Sequence, residues 1–234
     1  MSSLAGKVFL ITGSSKGIGK ATALRVASEG ANVVINYLRD SAVANDLVNE
    51  IGADRALAVQ ADASKLADLD RLVDAAVGKF GKIDVLIPNA GYLPLKTLET
   101  TTEEDFDRTY NLLVKGPYFL AQKAVPHMPV GGRIIFVSTS TARFSSVSPA
   151  YLLYTSSKGS IEQMTRILAK NLAPKGILLF LEGKPEAMLK AIAGFSPFNR
   201  IGEPDEIASV MAFLSGKDSS WMSGQVVAVN GGMA

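Results

Sequence analysis

Short apolar runs, each closed by glycine or polar residues, alternate along the chain with longer stretches whose apolar positions recur at helical spacing. The runs predict strands over 7–12, 32–37, 56–60, 83–87 and 133–137, with a last one over 224–229. Their unbroken apolar character suits strands buried on both faces of a parallel sheet. Between them, helices are predicted over 21–28 and 42–51. Leu66, Leu69, Leu72, Ala76 and Phe80 mark a further helical stripe that Gly81 stops and that Ser64 is placed to cap. Thr102-Glu103-Glu104-Asp105 signals a capping box, opening a helical stretch through Phe106, Leu112, Phe119 and Val125 with a possible break. Another helix carries Tyr154 and Lys158 and continues through Ile161 and Leu168 to Leu172, before Pro174. Regular alternation of strand and helix implies right-handed crossovers and helices on both faces of the sheet. The expected fold class is α/β, a doubly wound parallel sheet in three α/β/α layers, as one domain over 1–234.

Composition narrows the partners. The 234 residues are 47% hydrophobic and 20% charged, which fits a folded globular protein with one sizeable core. A net charge of +2, with Lys and Arg scattered among Asp and Glu, argues against a nucleic-acid partner. There is no cysteine, so neither disulfides nor thiolate chemistry is available, and the single histidine, His127, excludes a His-rich metal site. No metal is expected. No stretch reads as a signal or membrane segment, from which a cytoplasmic location and no membrane association are expected.

The first predicted strand runs into Thr12-Gly13-Ser14-Ser15-Lys16-Gly17-Ile18-Gly19 and then a helix. Glycines at such a turn let the backbone approach a pyrophosphate, and the N–H groups of the helix start face it, the arrangement of a Rossmann dinucleotide site. Gly13, Ser15, Lys16, Gly17, Ile18 and Gly19 are the candidate contacts. At the end of the second strand, Asn36-Tyr37-Leu38-Arg39 offers no carboxylate for the ribose 2′-hydroxyl of NAD. Arg39 and Lys16 could instead pair with a 2′-phosphate, favouring NADP(H), although Asp40 would blunt this and two solvated surface cations are the plainer alternative.

Tyr154 and Lys158 stand four residues apart and share a helix face. An ammonium beside a phenol favours the phenolate, which lets a tyrosine exchange a proton near neutral pH. Ser138-Thr139-Ser140-Thr141, at the end of the fifth strand, places hydroxyls at the sheet edge that faces a ligand crevice.

Thr12-Gly13-xxx-Gly17-x-Gly19, Asp62, Asn89-Ala90-Gly91, Tyr154-xxx-Lys158 and the run from Arg200 through Ala208 to Gly231-Gly232 together resemble a short-chain dehydrogenase/reductase over nearly the whole chain. Asn36-Tyr37 and Glu104-Asp105-Phe106-Asp107-Arg108 are similar to NADPH-dependent fungal reductases of polyhydroxynaphthalenes. The resemblance implies that Tyr154 protonates a carbonyl oxygen as hydride arrives from the nicotinamide, and that Lys158 holds the nicotinamide ribose. A serine would bind the same oxygen; counting back from the tyrosine gives Ser140, and aligning from the strand gives Thr139, of which Ser140 is preferred. Asp62 would bind the adenine edge, Asn36, Tyr37 and Arg39 the adenosine ribose side, and Asn89, Ala90 and Gly91 the groove wall. Assembly as a tetramer or dimer is implied through helices over 112–125 and 154–172 and the last strand.

Two departures stand out. The position of the family's fourth catalytic residue, an asparagine, holds Leu113, with Asn111 two residues earlier. After Gly176-Ile177 the family continues with its sixth strand, then Pro-Gly and a threonine, whereas here Leu178-Leu179-Phe180-Leu181-Glu182-Gly183-Lys184 follows, short by about a dozen residues. Such a shortening predicts a sheet without most of a central strand, or else a loop omitted between Ile177 and Leu178, which a direct peptide bond there would refute.

The expected activity is NADPH-dependent reduction of a ketone to a secondary alcohol. A substrate lobe near 184–198, with Tyr92, Phe144 and Tyr151, would favour a cyclic or aromatic ketone. The rival is a non-catalytic NADP-binding sensor or partner protein, and epimerisation or dehydration on the same fold ranks third.

Overall fold

The computed structural model describes residues 4–143, 147–183 and 197–232. Seven strands form one sheet in the order β3-β2-β1-β4-β5-β6-β7. They are β1 Val8–Ile11, β2 Asn32–Tyr37, β3 Ala56–Gln60, β4 Val85–Ile87, β5 Arg133–Ser138, β6 Leu178–Gly183 and β7 Gln225–Ala228. Every pairing is parallel. The chain winds outward from β1 to β3 and then returns to lay β4 against the other side of β1. The carboxyl ends of β1 and β4 therefore diverge into opposite connections, which opens a crevice at the switch in strand order.

The helices are α1 Gly17–Ser28, α2 Ser41–Ile51, α3 Leu66–Phe80, α4 Glu103–Tyr110, α5 Gly116–Ala124, α6 Leu152–Leu172 and α7 Pro204–Ser215. On one sheet face Val26 of α1, Leu47 of α2 and Met211 of α7 pack over Phe9, Ile35 and Phe180. On the other, Leu72 of α3, Leu120 of α5 and Ile161 of α6 cover Leu10, Leu86 and Phe136. Burial on both faces is why the strands read as continuous apolar runs. Gly81 ends α3 in the left-handed region at φ 78°, and Thr102 and Asp105 close the capping box of α4, both as the sequence predicts.

Three expectations need correction. Ser64 does not cap α3: its amide and hydroxyl both donate to Asp62 Oδ1, and Lys65 occupies the cap position without a side-chain bond. α1 starts four residues earlier than predicted, at Gly17, because the glycines supply the turn and then enter the helix. The hole in the sheet does not form. The segment Leu178–Gly183 is itself β6, paired to β5 from Arg133↔Leu178 to Ser138↔Gly183 and to β7 on its other side. Leu179 and Phe180 are fully buried, so this apolar run has the character that a central strand needs.

The break expected after α4 is a π-helical turn, Asn111–Lys115, in which the Gly116 N–H donates to Asn111 O. Pro117 has no N–H to offer the Leu113 carbonyl four residues back, so a regular α-helix cannot continue through this point. Gly116 is required here: a Cβ would lie 2.2 Å from Ala63 O.

Candidate active site

The crevice between β1 and β4 is built around Thr12. Its Oγ1 accepts from the N–H groups of Asn89, at 3.0 Å, and Ala90, at 2.9 Å, tying the end of β1 to the segment after β4. Asn89 Nδ2 returns a 2.8 Å bond to Thr12 O. The two backbones lie so close that a Cβ on Gly13, already at φ 61°, would come within 2.9 Å of Ala90 Cα. A Cβ on Gly19 would lie 2.7 Å from Gly13 O and 2.8 Å from Asn89 Nδ2. These glycines are thus spent on packing turn, helix and groove wall together.

Asn36 is the hidden brace of the turn. It is buried, its Oδ1 accepts from Gly13 N at 3.0 Å, and its Nδ2 donates to Ala61 O at 2.9 Å. Its side-chain amide lies beneath the glycine turn, so Asn36 holds the site from behind. Lys16, at the start of α1, makes no side-chain cap bond. The first-turn amides of Gly17, Ile18 and Gly19 therefore have no side-chain cap and suit a phosphate. Ser15 and Tyr37 are half-buried, and Lys16 and Arg39 are exposed. Asp40, the residue after Arg39, caps α2 by accepting from Val43 N, which engages its carboxylate.

Asp62 lies at the end of β3, partly exposed, with Oδ1 accepting from Ser64. Its amide donates to Asp68 Oδ2 at 2.7 Å. That amide, with Arg71 beside it, holds the Asp68 carboxyl below the usual carboxylate range.

Tyr154 and Lys158 are both buried on α6, with Lys158 Nζ 5.8 Å from the centre of the Tyr154 ring. Lys158 Nζ donates 2.7 Å to Val137 O, which fixes the helix against the end of β5. The hydroxyls that follow β5 then sort themselves. Thr139 Oγ1 and Thr141 Oγ1 pair at 3.0 Å, and Thr141 Oγ1 reaches Thr155 Oγ1 on α6 at 3.3 Å. Thr139 is therefore turned to its neighbour. Ser140 opens the 3-10 turn Ser140–Arg143 and is buried. Ser138 Oγ is buried and has no hydrogen-bond partner among the described residues.

Leu113 is buried and packs on the groove wall: its Cδ2 would lie 3.2 Å from a Cβ on Gly91. Tyr92, expected beside a substrate, is held by α4, its hydroxyl 2.8 Å from Thr109 Oγ1 and its ring under Arg108. Tyr151 is half-buried in the turn before α6. Phe144 and residues 184–196 of the expected lobe lie outside the described residues. Among the described residues no cluster of His, Asp or Glu could hold a metal ion, and no helix is long and apolar enough to cross a membrane.

A family model described as short chain dehydrogenase matches residues 7–180, most of this structure. The chain belongs to the short-chain dehydrogenases/reductases. A second model, described as enoyl-(acyl carrier protein) reductase, matches residues 181–234. Hydroxynaphthalene reductase-like protein Arp2 of Metarhizium anisopliae is 38% identical over 256 residues, covering 98% of this chain and 96% of its own. That span exceeds the 234 residues here, so the relative carries residues for which this chain has no counterpart. Among solved structures, a blue fluorescent protein from a metagenomic library, in complex with NADPH, is 34% identical with a TM-score of 0.94 over 99% of each chain. A short chain dehydrogenase from Burkholderia cenocepacia in complex with NADP is 31% identical, also with a TM-score of 0.94 over 99% of each chain.

The bonds that assemble this site were the part invisible in the sequence. Thr12, Asn36 and the Val137 carbonyl act by hydrogen bonds to distant backbone or side-chain atoms, and no local pattern marks such partners.

Proposed function

We propose that this short-chain reductase uses NADPH to reduce a ketone to a secondary alcohol, with Tyr154 as the acid. The observation that carries the reading is the buried pair Tyr154 and Lys158, moored through Val137 to the strand that delivers Ser140. The residues present fit the dinucleotide. Uncapped amides at Gly17–Gly19 suit the pyrophosphate, Gly13 and Ala90–Gly91 the close approach along the groove, and Asp62 the adenine edge. Lys16 and Arg39, exposed beside an Asp40 already used as a cap, supply positive charge for a 2′-phosphate. The NADP-bound relatives favour the same cofactor. The reduced nicotinamide, when bound, supplies the hydride.

The chain's own groups handle the oxygen. Ser140 donates a hydrogen bond to the carbonyl oxygen and orients it towards the phenol. Tyr154 then gives its hydroxyl proton to that oxygen, and the Lys158 ammonium offsets the charge left on the phenolate. The same groups run in reverse for alcohol oxidation.

A cyclic or aromatic ketone is the favoured substrate, which the hydroxynaphthalene reductase-like relative supports. The test is NADPH and NADH consumption by purified protein against panels of cyclic, aromatic and small aliphatic ketones. NADPH-dependent turnover of the first two panels supports the reading; turnover of the aliphatic panel alone removes the substrate preference, and turnover of none removes the activity. A non-catalytic NADP-binding protein is the second reading, favoured by Leu113 filling the asparagine position. It predicts NADPH binding without turnover.

Assembly as a tetramer or dimer in the cytoplasm belongs to the same reading. Ile167 on α6, Phe213 on α7 and the fully exposed Trp221 before β7 are apolar surface for subunit contacts.

A further inference from the structure

Glu162 stands four residues beyond Lys158 and eight beyond Tyr154, on the same stripe of α6. It is buried, and its Oε1 has no hydrogen-bond partner among the described residues. A buried carboxylate is costly unless charges or donors compensate it, so its place on this stripe calls for a reason. Its other oxygen, Oε2, lies 3.5 Å from Arg143 Nε and 3.5 Å from Arg166 Nη2. Arg166 belongs to α6 itself, one turn on, and can only brace the helix. Arg143 is different, because it closes the 3-10 turn that Ser140 opens.

We infer that Glu162 is a positioning residue: its carboxylate draws Arg143 onto α6 and so holds the Ser140 turn in register with Tyr154 and Lys158. The inference rests on the reductase reading. The loop leaving β5 is then fastened to α6 in sequence order, by Val137 to Lys158, by Thr141 to Thr155 and by Arg143 to Glu162. Ser140 lies between the first two of these ties. The third is the only one carried by opposite charges, and the low exposure of Glu162 keeps it from being fully screened. Without it, among the described residues, only Thr141 hydrogen-bonds this end of the turn to α6, and a serine must sit within a few tenths of an ångström of its working place to share an oxygen with a tyrosine.

The experiment uses the full chain carrying Glu162→Gln, Arg143→Gln or Arg166→Gln. Each is followed by amide hydrogen exchange, by thermal unfolding, and by NADPH-dependent reduction of the best ketone found. Glu162→Gln keeps the volume and removes the charge; Arg143→Gln cuts the same tie from its half-exposed end, where folding is least at risk. Both are expected to speed exchange across 139–143 while leaving β1, β2 and α1 unchanged. Both should lower kcat by about ten- to a hundredfold, the scale of a misplaced catalytic group, with KM for NADPH unchanged. Arg166→Gln should do neither. Wild-type exchange at 139–143 in both Glu162→Gln and Arg143→Gln would overturn the inference. So would losses that merely follow a general fall in thermal stability, or an Arg166→Gln effect equal to that of Glu162→Gln. If the wild type reduces no ketone, the reductase reading fails on its own, and the exchange pattern alone decides whether Glu162 holds the turn.

Discussion

Lys158 Nζ donates a 2.7 Å hydrogen bond to the main-chain oxygen of Val137, joining the helix that carries Tyr154 to the strand that precedes Ser140. Both ends of this bond are largely shielded from water, where an ammonium left without an acceptor would be costly. The lysine is therefore a structural tether as well as the cation beside the phenol.

That dual role separates two variants. Tyr154→Phe should lower kcat by about 10²–10⁴-fold, the usual contribution of a positioned general acid, with NADPH affinity and melting temperature close to wild type. Lys158→Met should lose turnover and stability together, since it leaves the Val137 carbonyl buried without its donor. Steady-state kinetics, NADPH fluorescence titration and thermal unfolding distinguish the two patterns.

Gly19 is more confined than Gly13, because an added Cβ meets Gly13 O and Ser14 Cα at 2.7 Å, both backbone atoms. Gly19→Ala should cost about 1–3 kcal/mol in denaturant unfolding, the usual range for overpacking, and should weaken NADPH binding. Gly78 has open space around its Cβ position, so Gly78→Ala is the matched control and should be neutral or mildly stabilising.

Leu113 fills the place of the family's asparagine and packs on Gly91. Leu113→Asn should raise kcat if the polar group is what turnover lacks, while costing about 1–3 kcal/mol for a polar side chain in a buried site. Unfolding curves and kcat measured on the same preparation test both halves. Unchanged turnover would show that the missing polar group at this position does not limit the reaction.

Asp68 links pH to the crevice through the Asp62 amide. Its folded pKa lies below its unfolded value of about 3.9, so the stability it adds is fully present above that value. It is lost as pH falls through the lower, folded pKa. Asp68→Asn should lower stability at neutral pH, where this contribution is fully present, and flatten this part of the acid limb, because the site no longer titrates. Denaturant unfolding between neutral and acid pH measures it.

The order of elements, the parallel sheet and the glycine turn were all legible in the sequence. Strand burial on both faces and helix burial on one leave different periodicities, and each is local. β2 and β3 have the predicted bounds, and the capping box of α4 sits where its residues place it. The sixth strand departs from the family pattern in sequence, yet the apolar run Leu178–Leu181 supplies it, because an apolar run suffices for a strand buried within the sheet.

What the sequence alone determined about this protein is therefore the α/β alternation and the identities of Tyr154, Lys158 and the glycines. The tertiary structure decided what each polar group is for. Asn36 turned out to brace the glycine turn from beneath, Asp40 to cap a helix, and Thr139 to pair with Thr141. Hydrogen bonds such as Lys158 to Val137 and Asn89 to Thr12 join residues far apart in the chain. Their partners are set by the strand order and the close approach of backbones, which exist only once the sheet has formed.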